Sequence, residues 1–199
     1  MEARRVSSAA IGISAMKCAR RATCWWLPLV LATLGSVQVL AAVAGVPEDE
    51  LKSALILTLL RYSEWPGRAA PDQALTVGVL GRPGMASILR RTLEGKPINN
   101  RTIRVMALNS LSDPQCCQVI YLATDKTAEI RQALASALLS PILTIGEADR
   151  FLEYGGAVNL MFEDGHMAFE VNWSALEQSG VSISSKLLRY GQIRGRPPA

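Results

Sequence analysis

The segment 157–172, AVNLMFEDGHMAFEVN, narrows the possible folds more than any other part of this chain. Its Asp164-Gly165 pair suits a two-residue turn, because the central residues of such a turn need positive φ. Reversal there sets Glu163 opposite His166, Phe162 opposite Met167, Leu160 opposite Phe169 and Val158 opposite Val171. Side chains alternate across a strand, so Val158, Leu160, Phe162, Met167, Phe169 and Val171 share one apolar face. Asn159, Met161, Glu163, His166, Ala168 and Glu170 form the other, mostly polar face. A hairpin with faces this unequal lies half-buried on a core.

The first 44 residues have another character. Arg4, Arg5, Lys17, Arg20 and Arg21 precede an apolar run from Trp25 to Leu34, and Ala42-Val43-Ala44 closes the segment. A basic stretch, a short apolar stretch and an A-x-A site are the marks of a cleaved export signal. Met16 is an alternative start that leaves a signal of conventional length. The 23 uncharged residues from Cys24 to Val46 are also long enough to span a membrane. Pro28, Gly35, Ser36, Gln38 and the alanine-rich end favour cleavage over anchoring. The expected organisation is a signal peptide, 1–44, followed by one exported domain, 45–199.

That division decides how the charge is read. The whole chain has 21 basic and 17 acidic residues, a formal net charge of +4, but the leader holds five of the former and one of the latter. The remaining 155 residues are balanced at 16 of each. Balance speaks against nucleic acid as a partner, since neutralising phosphates needs a basic surface. Cleavage also leaves two cysteines, the adjacent Cys116 and Cys117. An exported chain can form disulfides, yet neighbouring Cα atoms lie about 3.8 Å apart, closer than a bridge prefers. A strained vicinal disulfide, an intermolecular link and a buried thiol at the head of a strand all stay open.

Pro47 to Tyr62 has the pattern of a helix. Glu48, Asp49 and Glu50 place negative charge at its positive end, and Leu51, Ala54, Leu55, Thr58, Leu59 and Tyr62 make one stripe. Ile56, Leu57 and Leu60 lie off that stripe and are apolar too. A helix apolar on two sides is either sandwiched in a core or presents a surface to another chain. Trp65-Pro66 ends it. Further on, Leu75 to Leu80, Thr102 to Leu108, Cys117 to Leu122 and Ile142 to Ile145 read as strands. Met85 to Leu93, Thr127 to Leu139, Ala148 to Tyr154 and Ser174 to Gln178 read as helices, the last capped by Ser174 and stopped by Gly180. Loops are expected at 68–73 and 110–115, residues 182–190 fit strand or helix, and 194–199 reads as a frayed tail. Strands alternating with helices point to a single α/β domain with a mixed, mostly parallel sheet flanked by helices, to which the C-terminal β-hairpin adds an antiparallel edge.

Chemistry is sparse in this sequence. His166, the single histidine, flanks a turn as the cross-strand partner of Glu163, and there is no G-x-S-x-G to serve a hydrolase. Ser184 and Lys186 could form a dyad, but the serines there suit turns and caps better. Neither a metal site nor a cofactor is expected. Gly81-Arg82-Pro83-Gly84 leads a strand into a helix, and such a turn can cradle an anion on backbone N–H groups. Gly81, Arg82 and Gly84 are therefore the candidate ligand-binding residues, with a plain tight turn as the simpler reading. On the residues alone this is an exported binding or regulatory module.

Three stretches together resemble the YfiR family of periplasmic regulators. One is Leu59-Leu60-Arg61-Tyr62-Ser63-Glu64-Trp65-Pro66 at the end of the first helix. Another is LTVGVLG at 75–81, with Leu93-Glu94-Gly95-Lys96 and then CQVIYL at 117–122. The most specific runs from PILTI at 141–145 through Gly155-Gly156, Phe162-Glu163-Asp164 and FEVN at 169–172 to ISSKLL at 183–188. The resemblance implies a non-enzymatic periplasmic repressor that binds the periplasmic sensor domain of an inner-membrane diguanylate cyclase and lowers cyclic-di-GMP synthesis and biofilm growth. It also implies sequestration of the repressor by an OmpA-like outer-membrane lipoprotein, and redox tuning in some members. Cys117 fits the family's cysteine ahead of the buried strand, while Cys116 is an addition. A homodimer is the expected assembly. Ile56, Leu57, Leu60, Arg61 and Trp65 are the candidate partner-binding residues, as an apolar patch with an aromatic anchor is what a protein partner grips. The rival reading is a periplasmic module for a small ligand such as a nucleotide or amino acid, its pocket at the carboxyl ends of the parallel strands.

Overall fold

Asp164 and Gly165 both take positive φ, 50° and 79°. The turn they make closes β6 (Val158–Glu163) onto β7 (His166–Asn172), with Val158 opposite Val171, Leu160 opposite Phe169 and Glu163 opposite His166. The computed structural model describes residues 46–65, 74–110, 117–138 and 140–195. The expected signal peptide, the expected 68–73 loop, most of the expected 110–115 turn, Cys116 and the last residues of the chain lie outside the described residues.

The hairpin belongs to a seven-stranded sheet of order β3-β2-β4-β5-β6-β7-β9. β2 (Leu75–Gly81), β3 (Ile103–Leu108), β4 (Val119–Ala123), β5 (Leu143–Gly146) and β6 run parallel, and only the β6–β7 pair is antiparallel. β9 (Gln192–Arg194) lies parallel to β7 and forms that edge of the sheet. The expected edge position of the hairpin is thus corrected. β9 is held there as the guanidinium of Arg194 pairs with the carboxylate of Glu170, a residue of the nominally polar face that is buried, as is Asn159 opposite it. Arg194 is a strand residue and not the start of a frayed tail.

Helices cover both faces. β4 is buried along its whole length, as a strand covered on both sides must be. On one face, α1 (Glu48–Arg61), α2 (Pro83–Leu93) and α5 (Ser185–Leu188) pack their apolar residues against Val77, Tyr121, Ile145, Val158 and Val171. On the other, α3 (Thr127–Ala137) packs Ile130, Ala133 and Leu134 against Ile120 and Leu122. The segment 148–155 is a run of turns rather than a helix. It wraps the fully buried Phe151, whose ring lies where a Cβ on Gly146 or Gly156 would stand, 2.4 and 2.1 Å away. A short antiparallel pair, β1 (Ser63–Glu64) with β8 (Ser182–Ile183), ties the end of α1 to the C-terminal segment. α4 (Trp173–Ser179) is capped by Asn172, whose side chain accepts from the Ala175 N–H, and not by Ser174; Gly180 ends it at φ 68°.

The inward face of α1 differs from the apolar stripe in the sequence. Ala54 and Tyr62 are exposed, while Ile56, Leu57 and Leu60 are buried, as are Lys52 and Ser53. The helix is rotated so that these two polar residues complete its buried face. Ser53 Oγ donates to Glu50 O at 2.8 Å and is hydrogen-bonded to Thr92 Oγ1 of α2 at 2.9 Å. Satisfied in this way, Ser53 costs little to bury. Ile56, Leu57 and Leu60 therefore do not form an exposed patch. They are core.

Leu57 is 8% exposed, so Leu57→Asp places an unpaired carboxylate in the core and removes at least about 3 kcal/mol of stability. The exposed neighbour Arg61, changed to Asp, shifts stability by less than about 0.5 kcal/mol. Urea denaturation of the two variants checks the contrast, and equal midpoints would place Leu57 at the surface after all.

Candidate functional site

The strand order reverses between β2 and β4, since the chain leaves β2 for β3 on one side and returns to β4 on the other. In open α/β sheets the crevice at the carboxyl ends of such strands is where ligands bind. Here that crevice holds a network of the protein's own charges. Glu147 follows the last residue of β5 and keeps only 13% of its side chain exposed. Its Oε2 accepts from the Tyr121 hydroxyl at 2.7 Å and lies 2.6 Å from Lys52 Nζ. Its Oε1 accepts from a terminal Arg82 nitrogen at 2.8 Å. Lys52 also reaches Glu48 Oε1 at 2.6 Å. Arg82, the residue after β2, makes a two-pronged pair with Asp49, at 3.1 and 3.0 Å. The first helix, the middle of β4 and the ends of β2 and β5 meet at one carboxylate.

Burial works against the charge on Glu147, but the hydrogen bonds from Lys52 and Tyr121 and the nearby positive charges outweigh it, so its carboxyl is held below the usual range. Burial likewise opposes the charge on Lys52, and the hydrogen bonds to Glu147 and Glu48 more than reverse that. Burial first, and then the adjacent Glu147, push the Tyr121 hydroxyl far up, so it stays a donor. A group with a depressed folded value stabilises above its unfolded value, here 4.5, and the contribution is lost as pH falls through the folded value. Acid therefore loosens this network from the Glu147 side.

Two clefts flank Arg82. One, about 520 Å³, lies over the ends of β2, β3 and β4 and includes Asn109, Thr124, Lys126 and Gln132. The other, about 560 Å³, lies on the α1 side and includes Asp49, Lys52, Asp125 and Glu147. The three residues expected to bind a ligand have separate fates. Gly81 has φ 111°, and a Cβ there would stand 2.2 Å from Ala123 O, so glycine is required by the close approach of β2 and β4. Arg82 is engaged by Asp49 and Glu147. Gly84 has open space around it. The partner-binding candidates divide as well: Arg61 is exposed, Trp65 is half-buried with its indole N–H donating to Gln118 O at 3.0 Å, and the three aliphatic residues are buried. Cys117 is buried at the head of β4. His166 is exposed, its Nδ1 2.8 Å from Asp164 O. Ser184 caps α5 by accepting from Lys186 N–H.

Glu147, Lys52, Tyr121 and Asp49 have no motif in the sequence. Their only signal is a lysine within an apolar helix and an acid straight after a buried strand, and neither names its partner.

A family model described as YfiR/HmsC-like matches residues 49–192. No curated protein matches. Among solved structures, a conserved domain protein from Vibrio cholerae O1 biovar El Tor is similar at TM-score 0.50 and 17% identity, over 74% of this chain and 60% of that one. An ABC domain from Streptococcus pneumonia, solved in complex with L-Trp, is similar at TM-score 0.47 and 13% identity, over 69% of this chain and 58% of that one. The chain thus spans about three-fifths of the length of these solved chains. The likeness to the Vibrio protein agrees with the α/β fold.

Removing the hub leaves charge behind. Glu147→Ala strands the buried Lys52 with Glu48 alone and takes the acceptor from Tyr121, and is expected to cost about 3–5 kcal/mol. Tyr121→Phe, which loses one hydrogen bond to a charged group, is expected to cost about 1.5–3 kcal/mol. Chemical denaturation at pH 7 measures both, and a Glu147→Ala variant as stable as the parent would contradict the assigned role.

Proposed function

Because this chain belongs to the YfiR/HmsC-like family, whose members are periplasmic regulators rather than enzymes, we propose that it binds the periplasmic sensor domain of an inner-membrane diguanylate cyclase and holds that cyclase inactive. Lower cyclic-di-GMP and less biofilm follow from that binding. The observation that supports it is the extent of the family match, which runs from the first turn of α1 to the first residue of β9 and so takes in six of the seven strands of the described sheet in full. An OmpA-like outer-membrane lipoprotein is the proposed antagonist, competing for the repressor, and a homodimer is the proposed assembly. No helix among the described residues is long and apolar enough to cross a membrane.

The contact face is drawn anew from the burial of α1. Arg61 and Trp65 keep accessible surface, and between them Tyr62 is 41% exposed. Trp65 is fixed by its bond to Gln118 O, and Tyr62 by the Ser184 N–H that its carbonyl accepts at 2.8 Å. An arginine beside an exposed tyrosine and a hydrogen-bonded indole has the composition of an interface hot spot. In the host, deletion of this gene is expected to raise cyclic-di-GMP. Restoring the wild-type gene should reverse the rise, and an Arg61→Glu, Tyr62→Ala double variant that folds normally should not. Unchanged cyclic-di-GMP on deletion would overturn the repressor reading.

The clefts beside Arg82 favour a second reading, a periplasmic module for a small ligand. A nucleotide or amino acid that binds there raises the melting temperature by mass action, which a thermal-shift screen detects.

A further inference from the structure

β3 is one of the two edges of the large sheet, and an edge strand offers unpaired N–H and C=O groups to any strand that meets it. Leu75 N–H donates to Thr102 O at 2.7 Å, which sets the phase of the parallel ladder. Even-numbered residues of β3 therefore bond to β2, and Ile103, Val105 and Ala107 turn their main-chain groups to the open side. Val105 is the middle one. Its N–H donates to Glu94 Oε1 at 3.0 Å, and its carbonyl accepts from a terminal nitrogen of Arg90 at 3.3 Å. Both side chains come from the last turn of α2 and its end, one helical turn apart, and Arg90 Nε lies 3.7 Å from Glu94 Oε1. An acceptor and a donor from one helix thus occupy the two positions that a neighbouring strand would take.

We propose that Arg90 and Glu94 form an edge lock, and that the partner they exclude is a second copy of this chain adding β3 to β3. Antiparallel pairing about Val105 sets each Arg104 opposite the other copy's Met106. Arg104 and Met106 are both exposed on the same face of the strand, Met106 at 38%. The register keeps the two arginines apart and lets each methionine lie along an arginine's aliphatic stem. The lock directs association away from this edge, so the regulator meets its partners and its own copies through other faces.

Arg90 and Glu94 are exposed side chains, and Arg90→Ala with Glu94→Ala leaves the core alone. Sedimentation of residues 45–199 should show the double variant at twice the mass of the wild type or more at equal concentration, with unchanged circular dichroism. Adding Ala107→Pro, which removes an outward N–H without touching the β2 ladder, should return the mass to that of the wild type. Hydrogen exchange of the Val105 amide in Glu94→Ala alone is an independent readout and should be at least about tenfold faster than in the wild type. A folded double variant of wild-type mass, a doubled mass that survives Ala107→Pro, or unchanged exchange at Val105 would each overturn the lock.

Discussion

The ion pair between Lys52 and Glu147, 2.6 Å long and nearly out of water, is the contact on which the arrangement of this domain turns. It joins the first helix to the end of β5. With Arg82 bridging Glu147 to Asp49, it straps the first turn of α1 across the carboxyl ends of the strands. A buried pair of this kind contributes little net stability compared with an apolar substitute, yet breaking it is costly. Its effect is on orientation. With Lys52 and Ser53 directed inward, Ile56, Leu57 and Leu60 must enter the core, and the exposed remainder of the helix is left to face water.

That rotation moves the functional expectation. A helix apolar on two sides suggests a sticky flank, but here both sides are used within the domain. The accessible aromatic character gathers at the helix end, at Tyr62 and Trp65, where β1 pairs with β8 and fixes the backbone. The switch-point crevice is meanwhile occupied by paired charges from the chain itself. A ligand entering it must compete with Asp49 and Glu147 for Arg82. At the end of α1, Arg61 and Tyr62 are exposed among the described residues, and this contrast favours the proposed regulatory reading over the small-ligand one.

Much of the fold is legible in the residues. The hairpin register follows from Asp164-Gly165 and strict alternation, and the parallel strands follow from apolar runs such as 119–123 that leave no polar face. Other features are hidden for definite reasons. The phase of α1 misleads because its buried face includes a lysine and a serine, whose partners lie beyond β5 and in α2, far away in sequence. β9 is too short to show periodicity and exists because Arg194 meets Glu170. The turns around Phe151 have helical spacing, but the segment bends to place one ring between two glycines. The charge network is the least legible element, since single acids and bases carry no signature until the sheet brings them together. Among the site residues, Arg82 stands out in sequence for its Gly-rich turn, and the structure places it in ion pairs rather than in an open anion cradle.

Direct binding tests the central claim. Residues 45–199 would be titrated calorimetrically into the purified periplasmic sensor domain of a membrane diguanylate cyclase from the same host. The account predicts a saturable complex with a dissociation constant of about 1 μM or tighter, near −8 kcal/mol, that is weakened at least about tenfold by changing Arg61 and Tyr62. No heat and no co-migration of two well-folded proteins, for any such sensor domain the host encodes, would contradict it.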